Sequence, residues 1–329
     1  MRHEAGRLRD YLVSGVEDPR INVQSILSRH FLIQAIAGER FGRLMQQEYR
    51  FAATMNWLLL LTEKIPQAEE FGAVLYGLRR GADNVEGIAI PRWAARVFSE
   101  LPARLEEVEV PNYIEGFLSG TRVTGERPSP DQNVLNTFCW AWARALRREH
   151  GSPEAPRIPV VEPACGSAND YRFLDAYGIA ALIDYTGIDL CERNVENARA
   201  LFPAVRFETG NVFQIAYPDN VFDYCIVHDL FEHLSLEGLA AAVGEICRVT
   251  RGGICAGFFQ MDEIPQHGVR PVDEYHWNLL SMLGMKELFA RHGFEAQAVH
   301  IGTFLRDVTG CDQTHNPNAY TFLAQRREE

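Results

Sequence analysis

A short apolar run, closed by an acid and followed by small residues, constrains the fold of this 329-residue chain more than any other stretch. The run from Ile158 to Val161 is rich in β-branched side chains, which is typical of a strand buried on both faces. Glu162 closes the run, and the small residues up to Ala168 lie where a parallel sheet needs a tight turn into a helix. The stretch therefore predicts the first strand, turn and helix of an α/β sheet.

Downstream of this turn, apolar runs of strand length alternate with helical patterns, which indicates a parallel α/β sheet. Strands are predicted over 158–161, 182–189, 205–208, 224–227, 254–259, 295–301 and 319–324, and helices over 171–177, 194–201, 237–249 and 285–292.

The turn itself, Glu-Pro-Ala-Cys-Gly-Ser-Ala, resembles the first motif of the class I S-adenosylmethionine-dependent methyltransferases, whose usual form is acid-x-Gly-x-Gly-x-Gly. Ala164 and Ala168 stand at the first and third glycine positions, and only Gly166 remains. Alanine still lets a ligand approach the backbone but disfavours positive φ. An ordinary strand-to-helix turn is the alternative, and a nicotinamide-binding Gly-x-Gly-x-x-Gly is a poorer match because its glycines are missing.

Further signals follow in the order and at the spacing of that superfamily. Asp189 ends the second predicted strand, and Asn211 follows the third. Phe222-Asp223 opens the fourth strand, with His233 after its end, and 251–253 reads Arg-Gly-Gly before the fifth. Together these motifs cover about residues 155–260 and make the resemblance strong.

The resemblance implies a Rossmann-like, seven-stranded sheet, mostly parallel with the last strand antiparallel, at residues 151–329. It implies S-adenosylmethionine as cofactor, with S-adenosylhomocysteine as product. Asp189 is expected to bind the ribose hydroxyls, and Asn211 the adenine amino group. The expected cofactor-binding residues are Glu162, Ala164, Cys165, Gly166, Asn169, Asp189, Leu190, Asn211, Val212 and Arg122.

Residues 1–150 are predicted to form a mostly helical cap or dimerisation domain, which makes a homodimer the expected assembly. Helices are expected over 23–34, 41–64, 71–78 and 92–105, and another from Asp131 to about Arg148. The Gly- and Pro-rich segment 112–130 is predicted to be a loop. The resemblance implies a lid over the cofactor there, and a structural linker is the alternative. Tyr113, Arg122 and Gln132 are its candidate contacts.

Charge divides the chain unequally. Residues 1–150 contain 19 Lys and Arg against 19 Asp and Glu, whereas residues 151–329 contain 13 against 25 and so carry the whole net charge of −12. This acidity disfavours nucleic acid as a partner and favours a cationic small molecule. The alternative is that the acidic surface only keeps the protein soluble. The chain starts with polar residues, and its longest apolar run is too short to span a bilayer. Its seven cysteines form no CxxC pairs. These features predict a cytoplasmic protein without a membrane partner.

Methyl transfer from a sulfonium is an in-line displacement, which needs alignment and a nucleophile with a free lone pair. An amine must be neutral, whereas an alcohol needs a base or a metal. His228, His233 and His276 are the candidate catalytic bases because histidine titrates near neutral pH. A metal site at Asp229, Glu232 and His233 is disfavoured because the metal signature of the family is absent. The long polar segment 260–278 is the expected substrate wall.

The methyl acceptor is less constrained. Similarity to antibiotic-pathway methyltransferases favours N-methylation of an amino sugar or aminoglycoside in antibiotic biosynthesis. O-methylation of a sugar or polyketide is the second hypothesis. A nicotinamide-dependent oxidoreductase and a non-catalytic cofactor-binding module are remote alternatives, disfavoured by the missing glycines and by the histidines at the sheet edge.

Overall fold

A computed structural model describes residues 18–65, 67–95, 138–147 and 156–327, with positions 6, 9 and 12. The lid prediction at 112–130, including Tyr113 and Arg122, lies outside the described residues, and so does Gln132. Of the helix expected over 92–105, only 92–95 is described, and it is helical.

The N-terminal part is helical where its apolar periodicity indicates helices. Its helices are α1 (Val23–Ala37), α2 (Gly42–Lys64) and α3 (Ala68–Arg79), and residues 138–147 are also helical. Asn22 begins α1, because its side-chain oxygen accepts from the backbone N–H groups of Gln24 and Ser25. A single 3₁₀ turn, Gly38–Phe41, separates α1 from α2.

The C-terminal part forms a seven-stranded sheet in the order β6-β7-β5-β4-β1-β2-β3. β7 is antiparallel to both of its neighbours and the other pairs are parallel, which confirms the predicted fold class. The strands are β1 (Ile158–Pro163), β2 (Ile183–Asp189), β3 (Arg206–Thr209), β4 (Phe222–His228), β5 (Thr250–Phe258), β6 (Phe294–His300) and β7 (Tyr320–Arg326).

Helices connect these strands. They are α4 (Tyr171–Ala176), α5 (Glu192–Leu201), α6 (Leu236–Val249), α7 (Met282–Arg291) and α8 (Ile301–Thr309). The sequence reasoning missed α8. Its buried residues, Ile301, Leu305 and Thr309, recur every four positions, as one face of a helix requires.

The Arg-Gly-Gly triplet at 251–253 lies inside β5, not in a turn before it as expected. The reason is close strand packing, since a Cβ atom on Gly252 would lie 2.5 Å from the carbonyl oxygen of Asp223. Glycine at this position therefore lets β5 pair with β4 past an irregularity between Phe222 and Tyr224.

The helical part packs directly on the sheet. Ile26 and Phe51 belong to the same buried apolar cluster as Val160 and Ile226, whereas α6 and α7 cover a second cluster. The Gln24 amide nitrogen donates to the carbonyl oxygens of Phe258 at 2.9 Å and Tyr320 at 2.7 Å, which lie at the carboxyl edge of the parallel strands. The start of α1 is thereby fixed over the edge where α/β sheets bind ligands.

Candidate cofactor and acceptor site

The loop after β1 has an unusual backbone. Ala164, Gly166 and Ala168 have φ values of 60°, 55° and 65°, all in the left-handed region. For the two alanines this conformation costs on the order of 1–2 kcal/mol each, and such strain is concentrated at functional sites. At Gly166 a Cβ atom would lie 2.8 Å from the Asn169 amide nitrogen, so the Asn169 side chain would have to move to admit a larger residue. The loop thus exposes backbone, rather than side chains, to the edge of the sheet.

Asp189 ends β2, and its carboxylate accepts hydrogen bonds from the loop after β1 and from the residues that follow β2. Its Oδ2 accepts from the Gly166 backbone N–H at 2.9 Å. Its Oδ1 accepts from the Cys191 backbone N–H at 2.9 Å and from the Asn194 amide at 3.2 Å. A carboxylate has about four lone-pair positions, so one of them remains on Oδ2 for a ligand hydroxyl. The predicted binding of both ribose hydroxyls would need Asp189 to give up one of these contacts.

The neighbouring residues suit a nucleoside. Leu190 is 73% exposed beside Asp189 and offers an apolar face. Asn211 is exposed and Val212 is half-buried at the end of β3. The Asn211 side-chain oxygen accepts from the Phe213 backbone N–H at 2.9 Å and keeps a second lone pair. An apolar face, a carboxylate and an amide around an exposed backbone turn fit the adenosine half of S-adenosylmethionine.

A cavity of about 850 Å³ opens beside the loop, between the sheet edge and the helical part. Its lining combines the β1–α4 loop, the ends of β4 and β5, the start of α1 and one face of α2. The lining residues are Pro19, Ile21, Asn22, Val23, Gln24, Ser25, Met55, Asn56, Leu59, Glu162, Ala164, Cys165, Asn169, Asp170, Arg172, His228, Asp229, His233, Phe259, Trp277, Ile301, Leu305, Thr314, His315, Asn316 and Ala319.

His228 ends β4 and forms a partly buried pair with Asp170, and their side chains are 12% and 19% exposed. Its Nδ1 lies 2.8 Å from Asp170 Oδ2, and its Nε2 is buried with no hydrogen-bond partner among the described residues. Although burial alone would lower it, Asp170 holds the pKa of His228 well above the usual range. A protonated imidazole has no lone pair, whereas the neutral ring, with its Nδ1 proton hydrogen-bonded to Asp170, presents Nε2 as an acceptor. The base role of His228 therefore stays a prediction.

His233 has a different environment. Its Nδ1 donates to the backbone carbonyl of His276 at 3.1 Å, which leaves Nε2 as the acceptor nitrogen of the neutral ring. Its ring lies 5.5 Å from Trp277, 5.6 Å from Phe259 and 5.8 Å from Tyr275, centroid to centroid. His233 lines the cavity, whereas His276 does not and contributes its backbone carbonyl.

Two buried carboxyl groups support the site. Glu162 accepts from the Tyr185 hydroxyl at 2.5 Å, and burial raises the pKa of Glu162 well above its usual range. Burial also raises the pKa of Glu232 to about 8. Glu232 Oε1 accepts from the backbone N–H groups of Phe259 at 2.7 Å and Gln260 at 3.3 Å. Glu232 thereby anchors the start of segment 260–278, from which Trp277 reaches the cavity.

Sequence reasoning missed several lining residues. Asp170 closes the first motif, so a search for acids beside the motifs could have found it. Asp229, which follows β4 with a φ of 51°, was considered only as a ligand of a disfavoured metal site. Asn22, Gln24 and Asn56 come from the helical part, where no motif marks them.

In the described ranges there is no cluster of three or more His, Cys, Asp or Glu side chains able to hold a metal ion. The described helices are also too short or too polar to cross a membrane.

Known proteins are similar to this chain. A family model described as a methyltransferase domain matches residues 161–256. A Mycolicibacterium smegmatis protein named as a probable S-adenosylmethionine-dependent methyltransferase is 25% identical over 185 residues, which cover 54% of this chain and 67% of that protein.

Solved structures are also similar to part of this chain. A methyltransferase from Mesorhizobium loti is 16% identical with a TM-score of 0.41, covering 57% of this chain and 97% of that one. The magnesium protoporphyrin IX methyltransferase of Synechocystis, solved with bound S-adenosylmethionine, is 15% identical with a TM-score of 0.38, covering 64% and 91%.

The seven-stranded sheet is the fold expected of class I methyltransferases, and residues 161–256 match a methyltransferase domain. The protein is an S-adenosylmethionine-dependent methyltransferase. S-adenosylmethionine is the methyl donor of this enzyme, and S-adenosylhomocysteine is the product.

Proposed function

We propose that the enzyme methylates a nitrogen of an amino sugar or aminoglycoside, as a step in antibiotic biosynthesis, with the acceptor bound in the cavity beside His233. The observation that carries this proposal is the combination of aromatic faces and hydrogen-bond acceptors on one side of the cavity. Phe259 and Trp277 line it with ring centroids 5.1 Å apart, beside the His233 ring and the Asp229 carboxyl group. Aromatic faces and carboxylates are the groups that bind ammonium ions.

The described residues can also prepare the amine for reaction. An ammonium group has no lone pair, so its proton must leave before the nitrogen can attack. His233 Nε2 is an acceptor in the neutral ring and is oriented by the bond from Nδ1 to the His276 carbonyl. We assign His233 as the group that takes this proton. S-adenosylmethionine, when bound, supplies the methyl group.

O-methylation of a sugar or polyketide is the second candidate. The same observation supports it, because Nε2 of His233 can take a proton from a hydroxyl as well as from an ammonium. The two reactions differ in their dependence on pH. Raising the pH supplies more neutral amine and should partly rescue a His233 variant acting on nitrogen, whereas an alcohol stays protonated throughout the usual assay range.

The experiment uses isotope-labelled S-adenosylmethionine with a panel of amino sugars and their N-acetylated counterparts, read by mass spectrometry. Label transfer to the free amines alone supports N-methylation, and equal transfer to the N-acetylated sugars contradicts it. His233→Gln should lower turnover by about 10²–10⁴-fold. His292→Gln is the matched control, because His292 is exposed at the end of α7.

We also propose that Asp189, Leu190 and Asn211 hold the adenosine half of the cofactor, supported by their placement at the ends of β2 and β3. Asp189→Ala should weaken S-adenosylhomocysteine binding at least about tenfold, since a charge-assisted hydrogen bond contributes about 1.5–3 kcal/mol. Calorimetry measures this, with Asp184→Ala on the exposed side of β2 as control. Unchanged affinity of the Asp189 variant would remove it from the cofactor site.

The proposed assembly remains a homodimer of chains with a helical part at 1–150 and a catalytic part at 151–329. Its surface needs revision, because α1 and α2 bury apolar residues within the same cluster as the sheet. Sedimentation velocity at micromolar concentration tests the assembly, and a monomer contradicts it.

A further inference from the structure

The cavity wall formed by the helical part contains three side-chain amides, which differ in how many of their ends are hydrogen-bonded within the protein. Asn56 on α2 is engaged at both ends, because its nitrogen donates to the Gln313 carbonyl at 2.7 Å and its oxygen accepts from the His315 backbone N–H at 3.3 Å. Asn22 and Gln24, at the start of α1, are each engaged at one end only. The engaged end determines which atom remains for a ligand.

Gln24 retains an acceptor. Both protons of its amide nitrogen go to the carbonyl oxygens of Phe258 and Tyr320, at 2.9 and 2.7 Å. Because carbonyl oxygens only accept, this arrangement also fixes which end of the amide is nitrogen. Oε1 receives no hydrogen bond from the described part of the chain, and Gln24 lines the cavity.

Asn22 retains a donor. Its Oδ1 accepts from the backbone N–H groups of Gln24 at 3.0 Å and Ser25 at 3.3 Å. The amide nitrogen Nδ2 therefore keeps its protons, which no described residue accepts. Because Asn22 itself caps the backbone of this turn, the side chains rather than the helix N-terminus face a ligand.

A ligand group that bonds both amides must accept a hydrogen bond from Asn22 and donate one to Gln24. An ammonium group can satisfy only Gln24, and a phosphate or carboxylate can satisfy only Asn22. A hydroxyl group, or a pair of neighbouring hydroxyls, donates and accepts at once and satisfies both. Phe259 and Trp277 line the same cavity and offer apolar faces for the ring that carries the hydroxyls.

We propose that Asn22 and Gln24 form a subsite that hydrogen-bonds to hydroxyl groups on the polyol ring of the methyl acceptor. This inference rests on the proposed function for the identity of the reacting group, but not for the subsite itself. It gives the helical part a direct role in acceptor specificity, in addition to the cap or dimerisation role predicted from the sequence.

The test measures ligand binding to the full chain with S-adenosylhomocysteine present, by ligand-observed NMR at millimolar concentration. The probes are methyl glucoside, which has hydroxyls without an amine, glucosamine, which has both, and cyclohexylamine, which has an amine without hydroxyls. Asn22→Ser keeps an N-cap oxygen but has no amide nitrogen. Its one hydroxyl proton sits on the capping oxygen, so the donor at the Nδ2 position is lost while the cap is kept. Gln24→Met removes the acceptor, and Gln297→Met on the exposed side of β6 is its matched control.

The subsite predicts that Asn22→Ser and Gln24→Met each weaken binding of methyl glucoside and glucosamine by about 3- to 10-fold, the size expected for one net hydrogen bond. Binding of cyclohexylamine should not change, and neither should any probe in Gln297→Met. Because Gln24→Met also removes two bonds to the sheet, its melting temperature is measured, and Asn22→Ser decides the outcome if Gln24→Met unfolds.

Failure of the subsite and failure of N-methylation are distinguishable. If the wild type binds neither hydroxylated probe, or if Asn22→Ser binds both as tightly as the wild type, the subsite is wrong. If hydroxylated probes depend on Asn22 while no amine receives a methyl group, the subsite stands and N-methylation fails.

Discussion

One histidine in the helical part and one at the sheet edge each lie against a carboxylate, yet their pKa values are shifted in opposite directions. His30 Nε2 lies 2.6 Å from Glu48 Oε2, and His228 Nδ1 lies 2.8 Å from Asp170 Oδ2. Burial lowers the pKa of His30, whereas the pKa of His228 is raised well above the usual range. A carboxylate partner alone therefore does not determine whether a buried histidine is charged.

The difference lies in what else contacts each carboxylate. Glu48 also accepts from Arg29 at 3.1 Å and from the Trp142 indole at 2.7 Å. Although burial opposes it, the hydrogen bond from His30 and the positive charge of Arg29 hold the pKa of Glu48 at about 2. Arg29 supplies the permanent positive charge, so His30 can remain a neutral donor. At the sheet edge, His228 is the only side chain in the described ranges with a hydrogen bond to the Asp170 carboxylate, and it carries the positive charge.

The helical network also fixes the wall of the cavity. Arg29 donates to the Pro19 carbonyl at 2.7 Å, and its guanidinium lies 4.1 Å from the centre of the Tyr177 ring. Pro19 lines the cavity, and Tyr177 follows α4 of the catalytic part. We infer that this network serves stability and positioning, whereas the pair of His228 and Asp170 sets the charge beside the reacting groups.

The largest expected effect follows from removing the charge of Glu48. Glu48→Gln leaves the buried Arg29 cation uncompensated, which should cost about 3–5 kcal/mol of unfolding free energy. Urea denaturation at pH 7 measures this, with Glu63→Gln on the exposed face of α2 as the control. A loss no larger than that of the control would show that Arg29 and Glu48 are not a buried pair.

A smaller effect is expected for Asp170→Asn, because histidine can lose its proton and arginine cannot. We expect a loss of about 1.5–3 kcal/mol, the range for a hydrogen bond to a charged group, and a fall in the pKa of His228. Urea denaturation and histidine NMR titration measure the two quantities. Asp175→Asn on the exposed side of α4 is the control. An unchanged pKa of His228 would exclude Asp170 as the cause of its charge.

The smallest effects are opposite pH dependences. The folded-state pKa of His30 is lowered, so its contribution to stability falls as pH drops below about 6.5, where the unfolded chain takes up the proton. The folded-state pKa of His228 is raised, so its contribution is complete below about 6.5 and is lost as pH rises through the folded value.

Comparing the wild type with His30→Gln and His228→Gln by urea denaturation from pH 5 to pH 9 isolates these two terms. The contribution from Glu232 cancels because all three proteins contain it. Glu162 is coupled to His228, so any change in its titration counts as part of the His228 difference. His30→Gln should differ most in its acid slope, and His228→Gln in its alkaline slope. Parallel stability curves for all three proteins would contradict the assigned charge states.

The sheet could be predicted from the sequence because its strands are buried on both faces and end in recognisable motifs. Local features were harder, since α8 is only nine residues long and Gly252 looks like a turn residue until β4 lies beside it. The location of the site at the edge of the sheet could be predicted, but the charges and hydrogen bonds within it could not. The charge of His228 depends on Asp170, which lies 58 residues away, and the amides of Asn22 and Gln24 reach the cavity only because α1 packs over the sheet edge.

The most direct test of the contrast is the ¹⁵N NMR spectrum of the histidine-labelled protein at pH 7. His30→Gln and His228→Gln assign the two residues by the signals that each variant lacks. A neutral imidazole shows one protonated and one unprotonated nitrogen, whereas an imidazolium shows two protonated nitrogens. The account predicts a neutral His30 and an imidazolium at His228, and a neutral His228 at pH 7 would contradict it.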